Sequence, residues 1–225
     1  MFTVSEAWKT TYPGAAVGVL AMRDVANPKQ HPGLDQQKMA MEERLRARYA
    51  GYDRAALRAL PELQAYHNFY KRFKKTYHVQ LQLESIVLKG RSIPSVAALV
   101  EAMFMAELQD LLLTAGHDLE VVQLPAGVDV ADGSERFVRI NGQEQQLKAD
   151  DMMIADRLGI LSSVLYGPDQ RTQITPETTQ VLFTAYAPPG IGQEQVRDHL
   201  HNIRDNVLLV TPQASIDLLA VYIAD

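Results

Sequence analysis

The side chains best equipped for chemistry are few. Six histidines occur, at His31, His67, His78, His117, His199 and His201. His117 stands next to Asp118, just past a long apolar helix pattern, where side chains can converge on a cleft. Imidazole titrates near neutral pH and can take up a proton or orient a water, so His117 is the catalytic candidate. The same position also suits a helix-end histidine facing the helix dipole. His199 and His201 lie two apart on a helical pattern, which turns their rings to different faces and makes a poor metal pair. No His-Glu-x-x-His, Walker-type loop or carboxylate cluster at ligand spacing occurs, so neither metal nor cofactor is expected. Gly190-Ile191-Gly192 reads as a loop into a helix rather than a phosphate cradle, and Ser162 and Ser163 fall inside a strand pattern as core hydroxyls.

A second chemistry is electrostatic. The chain of 225 residues has a net charge of −5, yet residues 44–91 hold 11 Lys and Arg against 3 Asp and Glu. The remainder carries 11 against 24. Within that basic segment, Lys71, Arg72, Lys74 and Lys75 alternate with Phe69, Tyr70, Phe73 and Tyr77. Cations there suit phosphate contact, and the aromatics suit either base stacking or a helix core stripe. A solvated helical surface is the plainer alternative.

The elements that must carry these groups are legible in outline. Ala15 to Met22 reads as a buried strand after Tyr12-Pro13-Gly14. Leu34, Met41, Leu45, Tyr49 and Tyr52 keep helical spacing, with Glu42, Glu43, Arg44 and Arg46 mostly outward. Asp53 caps a short continuation, and Pro61 opens a helix striped by Leu63, Tyr66, Tyr70, Phe73 and Tyr77. His78 to Lys89 fits a strand or a helix. Ser95 starts a helix from Val96 to about Leu113, which Thr114-Ala115-Gly116 is expected to end. Phe137 to Ile140 and Glu144 to Leu147 flank Asn141-Gly142, a tight hairpin signal. Met152 to Ala155, Gly159 to Tyr166 and Val181 to Tyr186 read as strands, with a turn at Gly167-Pro168-Asp169. Gln193 to about Leu209 is helical, and Ala214 to Ile223 closes as a strand.

Several of these stretches resemble the tRNA-editing domain of the bacterial phenylalanyl-tRNA synthetase β subunit. Leu147-Lys148-Ala149-Asp150, Ile154-Ala155-Asp156 and Glu177-Thr178 through Val181-Leu182-Phe183 follow that family's L-x-A-D, V-I-A-D and E-T-x-x-V-L-L-E pattern without gaps. A looser likeness runs upstream through Lys89-Gly90, Ile93-Pro94 and Leu99-Val100-Glu101 to His117-Asp118. It covers roughly residues 78–190. The resemblance implies an α+β fold, with an antiparallel-rich β core and packed helices, and makes His78 to Lys89 helical. Residues 1–77, an N-terminal strand and basic helical extension, lie outside the resemblance and are expected to form one compact unit with an editing-like part over 78–225.

The functional residues of the family carry over unevenly. His117 lies one or two places from the family's pocket histidine, and Thr184 replaces its glutamate. Pro168 and Asp169 replace a glycine pair that lets substrate approach. Leu209-x-Thr211-x-x-Ala214-Ser215 is similar to a pocket-lining L-x-T-x-A-S segment, with one extra residue. The substrate-binding candidates are thus Thr184, Pro168, Asp169, Thr211 and Ala214. The expected activity is trans hydrolysis of mischarged aminoacyl-tRNA, as a freestanding aminoacyl-tRNA deacylase that binds RNA, with tRNA as partner. The alternative is a non-catalytic module for tRNA, a free amino acid or another small molecule. The loss of the glutamate at Thr184 weakens the expectation of tyrosine specificity.

The remaining composition narrows the setting. Hydrophobic residues make up 47% and charged residues 22%, ordinary values for a globular chain. Zero cysteines exclude disulfides and thiolate metal sites and fit a reducing compartment. The N-terminus lacks the basic and apolar regions of a signal peptide, and no apolar run approaches bilayer length. A cytoplasmic protein with no membrane partner is expected.

Overall fold

The computed structural model describes residues 2–225. In chain order, the first strands and helix are β1 (Phe2–Val4), α1 (Glu6–Thr11) and β2 (Ala16–Arg23). A helical block follows: α2 (Pro32–Arg48), α3 (Arg54–Arg58), α4 (Pro61–Arg72), α5 (His78–Val87) and α6 (Ala98–Asp110). The sheet-rich part comprises β3 (Leu113–Asp118), β4 (Ala126–Val130), β5 (Arg136–Val138), β6 (Glu144–Gln146), β7 (Met152–Asp156), β8 (Gly159–Ser163), β9 (Gly167–Pro168) and β10 (Gln180–Ala187). Helix α7 (Gln193–Val210) and β11 (Ser215–Ile223) complete the chain.

Two sheets carry the architecture. The central one has the order β11-β2-β10-β3 and is antiparallel throughout. The second has the order β1-β4-β7-β8-β9, with β1 parallel to β4 and the other pairs antiparallel. Hairpin β5-β6 pairs by itself and packs through Phe137 and Leu147 on Met153 and Ile160 as a small satellite core. Strand β2 sits between β10 and β11, so residues from both ends of the chain meet in one sheet.

Residues opposite each other in an antiparallel pair share a face, and every second residue returns to it. One face of the central sheet therefore carries Gly18, Leu20 and Met22. It meets α7 so closely that a Cβ on Gly18 would lie 2.7 Å from Val196 Cγ1. The other face carries Val17, Val19, Ala21, Ala115, His117, Leu182, Thr184 and Tyr186, and Tyr186 and His117 both reach Ser162 of the second sheet. The layers run helices, central sheet, second sheet.

Local chemistry explains most boundaries. Ser5 and Asp53 accept from the amides of Trp8 and Ala56, capping α1 and α3. Pro32 and Pro61 open α2 and α4, where a missing N–H costs nothing. The aromatic stripe of α4 is core: Tyr66, Phe69, Tyr70, Phe73 and Tyr77 are buried, and Tyr66 stacks on Tyr77 at 4.0 Å between centroids. Base stacking is therefore not open to them.

Four expectations are corrected. Helix α6 ends at Asp110, not at Thr114-Ala115-Gly116, because Leu111 turns left-handed (φ 61°) and those three residues belong to β3. The Glu107 side chain receives the Thr114 amide at 2.7 Å, fixing that exit. Ser95 does not cap α6; its hydroxyl accepts from Lys38 Nζ, and the N-cap position falls on Ala97. Gly167-Pro168 is a two-residue edge strand on β8, where proline's missing donor is harmless, and the turning conformation falls on Gly167 (φ 77°). Glu42 turns inward and receives the Ile93 amide at 2.7 Å.

Candidate functional site

A cavity of about 380 Å³ opens between the two sheets. Its floor is the inter-sheet face of the central sheet. The register aligns His117 on β3, Leu182 on β10, Ala21 on β2 and Leu218 on β11 in one cross-strand row. Leu182, Ala21 and Leu218 line the cavity, and His117 ends the same row. Val19 lines it from the next row, where it pairs with Thr184. Phe2 of β1 and Ala126 of β4, register partners, form the roof with Leu124. The volume lies within the usual range for a small-molecule site, and the walls are mostly apolar.

The mouth is polar. A register shift in β11 leaves Asp217 as an extra residue between Ile216, opposite Met22, and Leu218, opposite Ala21. Such a bulge re-aims a side chain at a sheet edge. Asp217 lines the cavity with Gln180, and its carboxylate lies 3.2 Å from Arg23 Nε. Gln180 in turn donates to Glu120. Neither the bulge nor Asp217 was visible in the strand pattern, which alternates too weakly there to reveal a shift.

Beside the floor runs a buried hydrogen-bond chain. His117 Nδ1 is 2.9 Å from Thr172 Oγ1, and Nε2 is 3.1 Å from Ser162 Oγ, itself 2.7 Å from the Tyr186 hydroxyl. Thr172 donates to the Asp169 carboxylate. Its oxygen must then accept from His117 Nδ1–H, which leaves Nε2 to accept from Ser162. Burial pushes the His117 imidazole down to about 3, with the nearby Arg171 guanidinium lowering it further and Asp156 opposing. The ring is therefore neutral at physiological pH. Burial raises the Asp169 carboxyl, against the Thr172 hydrogen bonds and Arg171. Arg171 is held by both Asp156 oxygens, at 2.9 and 3.1 Å.

The sequence candidates divide accordingly. His117 and Asp169 join one buried hydrogen-bond chain, and the half-buried Pro168 pairs in register with Ser162 of that chain. Thr184 shares the face of His117, is fully buried and donates to the Ala115 carbonyl at 3.4 Å. Thr211 caps the end of α7 and accepts from the Ala26 amide at 3.1 Å. Ala214 precedes β11, the edge strand opposite β3. The structure thus does not gather these two with His117. Lys71 and Lys74 are exposed, Arg72 lies 3.6 Å from Asp150, and Lys75 sits 4.0 Å over the Tyr166 ring.

A second histidine chain occupies the helix side of β3. Asp110 Oδ2 lies 2.9 Å from His199 Nδ1, and His199 Nε2 lies 2.6 Å from Thr114 Oγ1. The order is that of a nucleophile triad, but His199 and Thr114 are buried between sheet and helices, and the chain ties α6 and α7 to β3. Among the described residues no group of three or more His, Asp and Glu could hold a metal ion, and no helix is long and apolar enough to cross a membrane.

A central antiparallel sheet backed by helices and faced by a second sheet, with a ligand-sized cavity between them, defines an α+β domain with an inter-sheet pocket. Residues 64–204 match the family model described as the B3/4 domain, well over half of the chain. The chain belongs to that family and is a phenylalanyl-tRNA synthetase β-subunit-like domain. Its fold is similar to a crystal structure of an N-terminal fragment of the phenylalanyl-tRNA synthetase β-subunit from Pyrococcus horikoshii, at 12% identity and a TM-score of 0.50. That likeness covers 98% of this chain and 53% of the fragment, so the chain spans about half its length. Among curated proteins none matches the sequence.

Proposed function

We propose that this domain receives the aminoacyl end of a tRNA, takes the amino-acid side chain into the inter-sheet cavity and hydrolyses the ester in trans. The observation that carries this is the row His117, Leu182, Ala21 and Leu218, which joins a histidine one or two places from the family's pocket histidine to the floor of an apolar cavity. Apolar walls favour an apolar side chain. Asp217 at the mouth is the carboxylate suited to an α-ammonium group, with Arg23 as its resting partner. His117 acts as a positioning residue in this reading, because a buried neutral imidazole with both nitrogens engaged is a poor proton acceptor. Thr184, spent on Ala115, offers nothing like a carboxylate to a phenolic hydroxyl. The attacking water is then activated by the tRNA's own ribose hydroxyl.

A binding module without turnover is the second reading, and the sealed state of His117 and Thr184 favours it. A panel of mischarged tRNAs, incubated with the full chain and with Ala21→Phe, separates the two. Release of an apolar amino acid by wild type, abolished in Ala21→Phe, supports hydrolysis. Binding of the same tRNA or free amino acid without release, again abolished in Ala21→Phe, supports the module. Equal behaviour of the two proteins removes the cavity from either account.

A further inference from the structure

The end of α4 meets the second sheet at a cluster of cations drawn from three separate stretches. Lys74 takes a left-handed conformation (φ 57°) and the Lys75 amide bonds back to Tyr70 O at 3.1 Å, so the chain folds over at this point. That turn lays the Lys75 ammonium 4.0 Å above the Tyr166 ring. Lys148, from the loop before β7, donates to the Phe73 carbonyl at 3.0 Å, capping the same helix end. Arg139 follows β5, and its backbone is bridged to Asp169. The Lys75 ammonium is held below the usual range by partial burial, then by Lys148 and then by Arg139.

Like charges gathered around one helix end disfavour one another, and an anion would relieve that. Among the described residues no carboxylate oxygen lies within 4.0 Å of Lys75, Lys148 or Arg139 to form an ion pair. The acid beneath them, Asp151, is fully buried, and burial raises its carboxyl to about 7, which weakens it as a counter-charge. Two fixed points hold the cluster in register: the Tyr166 ring under Lys75 and the Phe73 carbonyl under Lys148. Lys71 and Lys74 continue the positive surface as exposed side chains on the same helix end. A single small anion would use only part of it.

We propose that Lys75, Lys148 and Arg139 form a composite site for backbone phosphates of an RNA strand, which Lys71 and Lys74 extend. This rests on the tRNA reading above and relocates the contact. The RNA lies across the junction between α4 and the sheet lobe, not along the outer side of the basic helix.

Labelled tRNA titrated against the full chain over a salt series tests it. Removing one cation that neutralises a phosphate flattens the slope of log affinity against log salt by about 0.7–0.9. Arg139→Gln/Lys148→Gln should therefore lower the slope by one to two units and the affinity at fixed salt by about tenfold or more. Lys29→Gln/Lys89→Gln, the same charge change elsewhere, should track wild type. Arg139→Gln alone, which leaves the Phe73 cap intact, should produce about half the slope change, and Lys148→Arg, which keeps the charge, should bind as wild type does. A wild type that binds tRNA, with the Arg139/Lys148 variant matching the control, overturns the composite site and leaves the tRNA reading standing. A wild type with no tRNA affinity at low salt overturns both. Binding to anionic vesicles that depends on the same residues, without RNA binding, also overturns it.

Discussion

Strand β3 carries a histidine-centred hydrogen-bond chain on each face, and the two surroundings differ. On the helix side, Asp110, His199 and Thr114 are clamped under α6 and α7, where even a methyl on Gly18 finds 2.7 Å to its neighbour. On the inter-sheet side, Tyr186, Ser162, His117, Thr172 and Asp169 run beside a cavity of about 380 Å³. Protein interiors are packed like organic crystals, so a void of that size between two sheets is a departure from the rule, while the helix side obeys it. The chemistry of the two histidines is similar; the packing around them separates a clamp from the edge of an open cavity.

The largest effect expected from that difference is in core truncation. Leu200, fully buried on α7 against Gly18, should cost about 3–5 kcal/mol as Leu200→Ala, toward the upper end for a site that cannot collapse. Leu182, also buried but bordering the cavity, already lacks neighbours on one side. Leu182→Ala should cost about 1–2.5 kcal/mol, below the usual range. Urea unfolding of both variants checks this, and equal losses would mean that the two faces are equally packed.

What was legible in the sequence follows the same division. Strands β2, β10 and β11 of the central sheet could be placed from their apolar runs, as could β8, and the motif register located β7 and β10; β3 was hidden, because its first residues read as the end of a helix. The exit of α6 was not legible: Leu111-Leu112-Leu113 continues the helical apolar pattern, and only tertiary contact turns Leu111 left-handed. Strands β1 and β4 were missed because Phe2–Val4 is too short to show a period, and Ala126–Val130 has too few apolar residues. Buried charges were equally silent. Lys38 and Glu101 pair at 2.8 Å in the core, although their types read as surface. At the site, His117 could be nominated by motif, but its partners Thr172, Ser162 and Tyr186 lie 45 or more residues away or on other strands. Sequence spacing cannot show that both ring nitrogens are already taken.

The second effect in size is a pH response of opposite sign on the two sides of β3. Burial raises the Glu107 carboxyl on α6 from 4.5 to about 8, with the Thr114 amide partly opposing. A group raised on folding holds its proton longer when folded. Its contribution is full below about 4.5 and is lost as pH rises toward 8. His117 is the reverse: lowered from 6.5 to about 3, it contributes above 6.5 and loses that contribution as pH falls toward 3. Each slope is at most about 1.4 kcal/mol per pH unit for one proton. The urea midpoint of Glu107→Gln should be flatter than that of wild type between pH 5 and 8. His117→Gln should be flatter between pH 6.5 and 4. If His117→Gln flattened the alkaline limb instead, the assignment of the two limbs to the two faces would fail.

The smallest effect is the sharpest test, because it pairs one added methyl with two. Gly18 and Ala21 lie three residues apart on β2 and face opposite ways. Gly18→Ala places a Cβ 2.7 Å from Val196 Cγ1 and 3.2 Å from both Leu200 methyls. Something must shift there, and overpacking of this kind costs about 1–3 kcal/mol. Ala21→Val points its added methyls into the cavity, where they displace solvent or nothing. It should change stability by less than about 0.5 kcal/mol, since β-branched residues also suit a strand. The same change narrows the floor beside Leu182 and Leu218, so it should weaken whatever occupies the cavity while leaving the fold alone. Thermal or urea unfolding gives the first quantity, and retention of the amino acid or tRNA identified by the deacylation panel gives the second. A stable Ala21→Val with undiminished binding would place the ligand elsewhere. A destabilised one would show that the inter-sheet face is as tightly filled as the helix face, and the distinction between clamp and pocket would be lost.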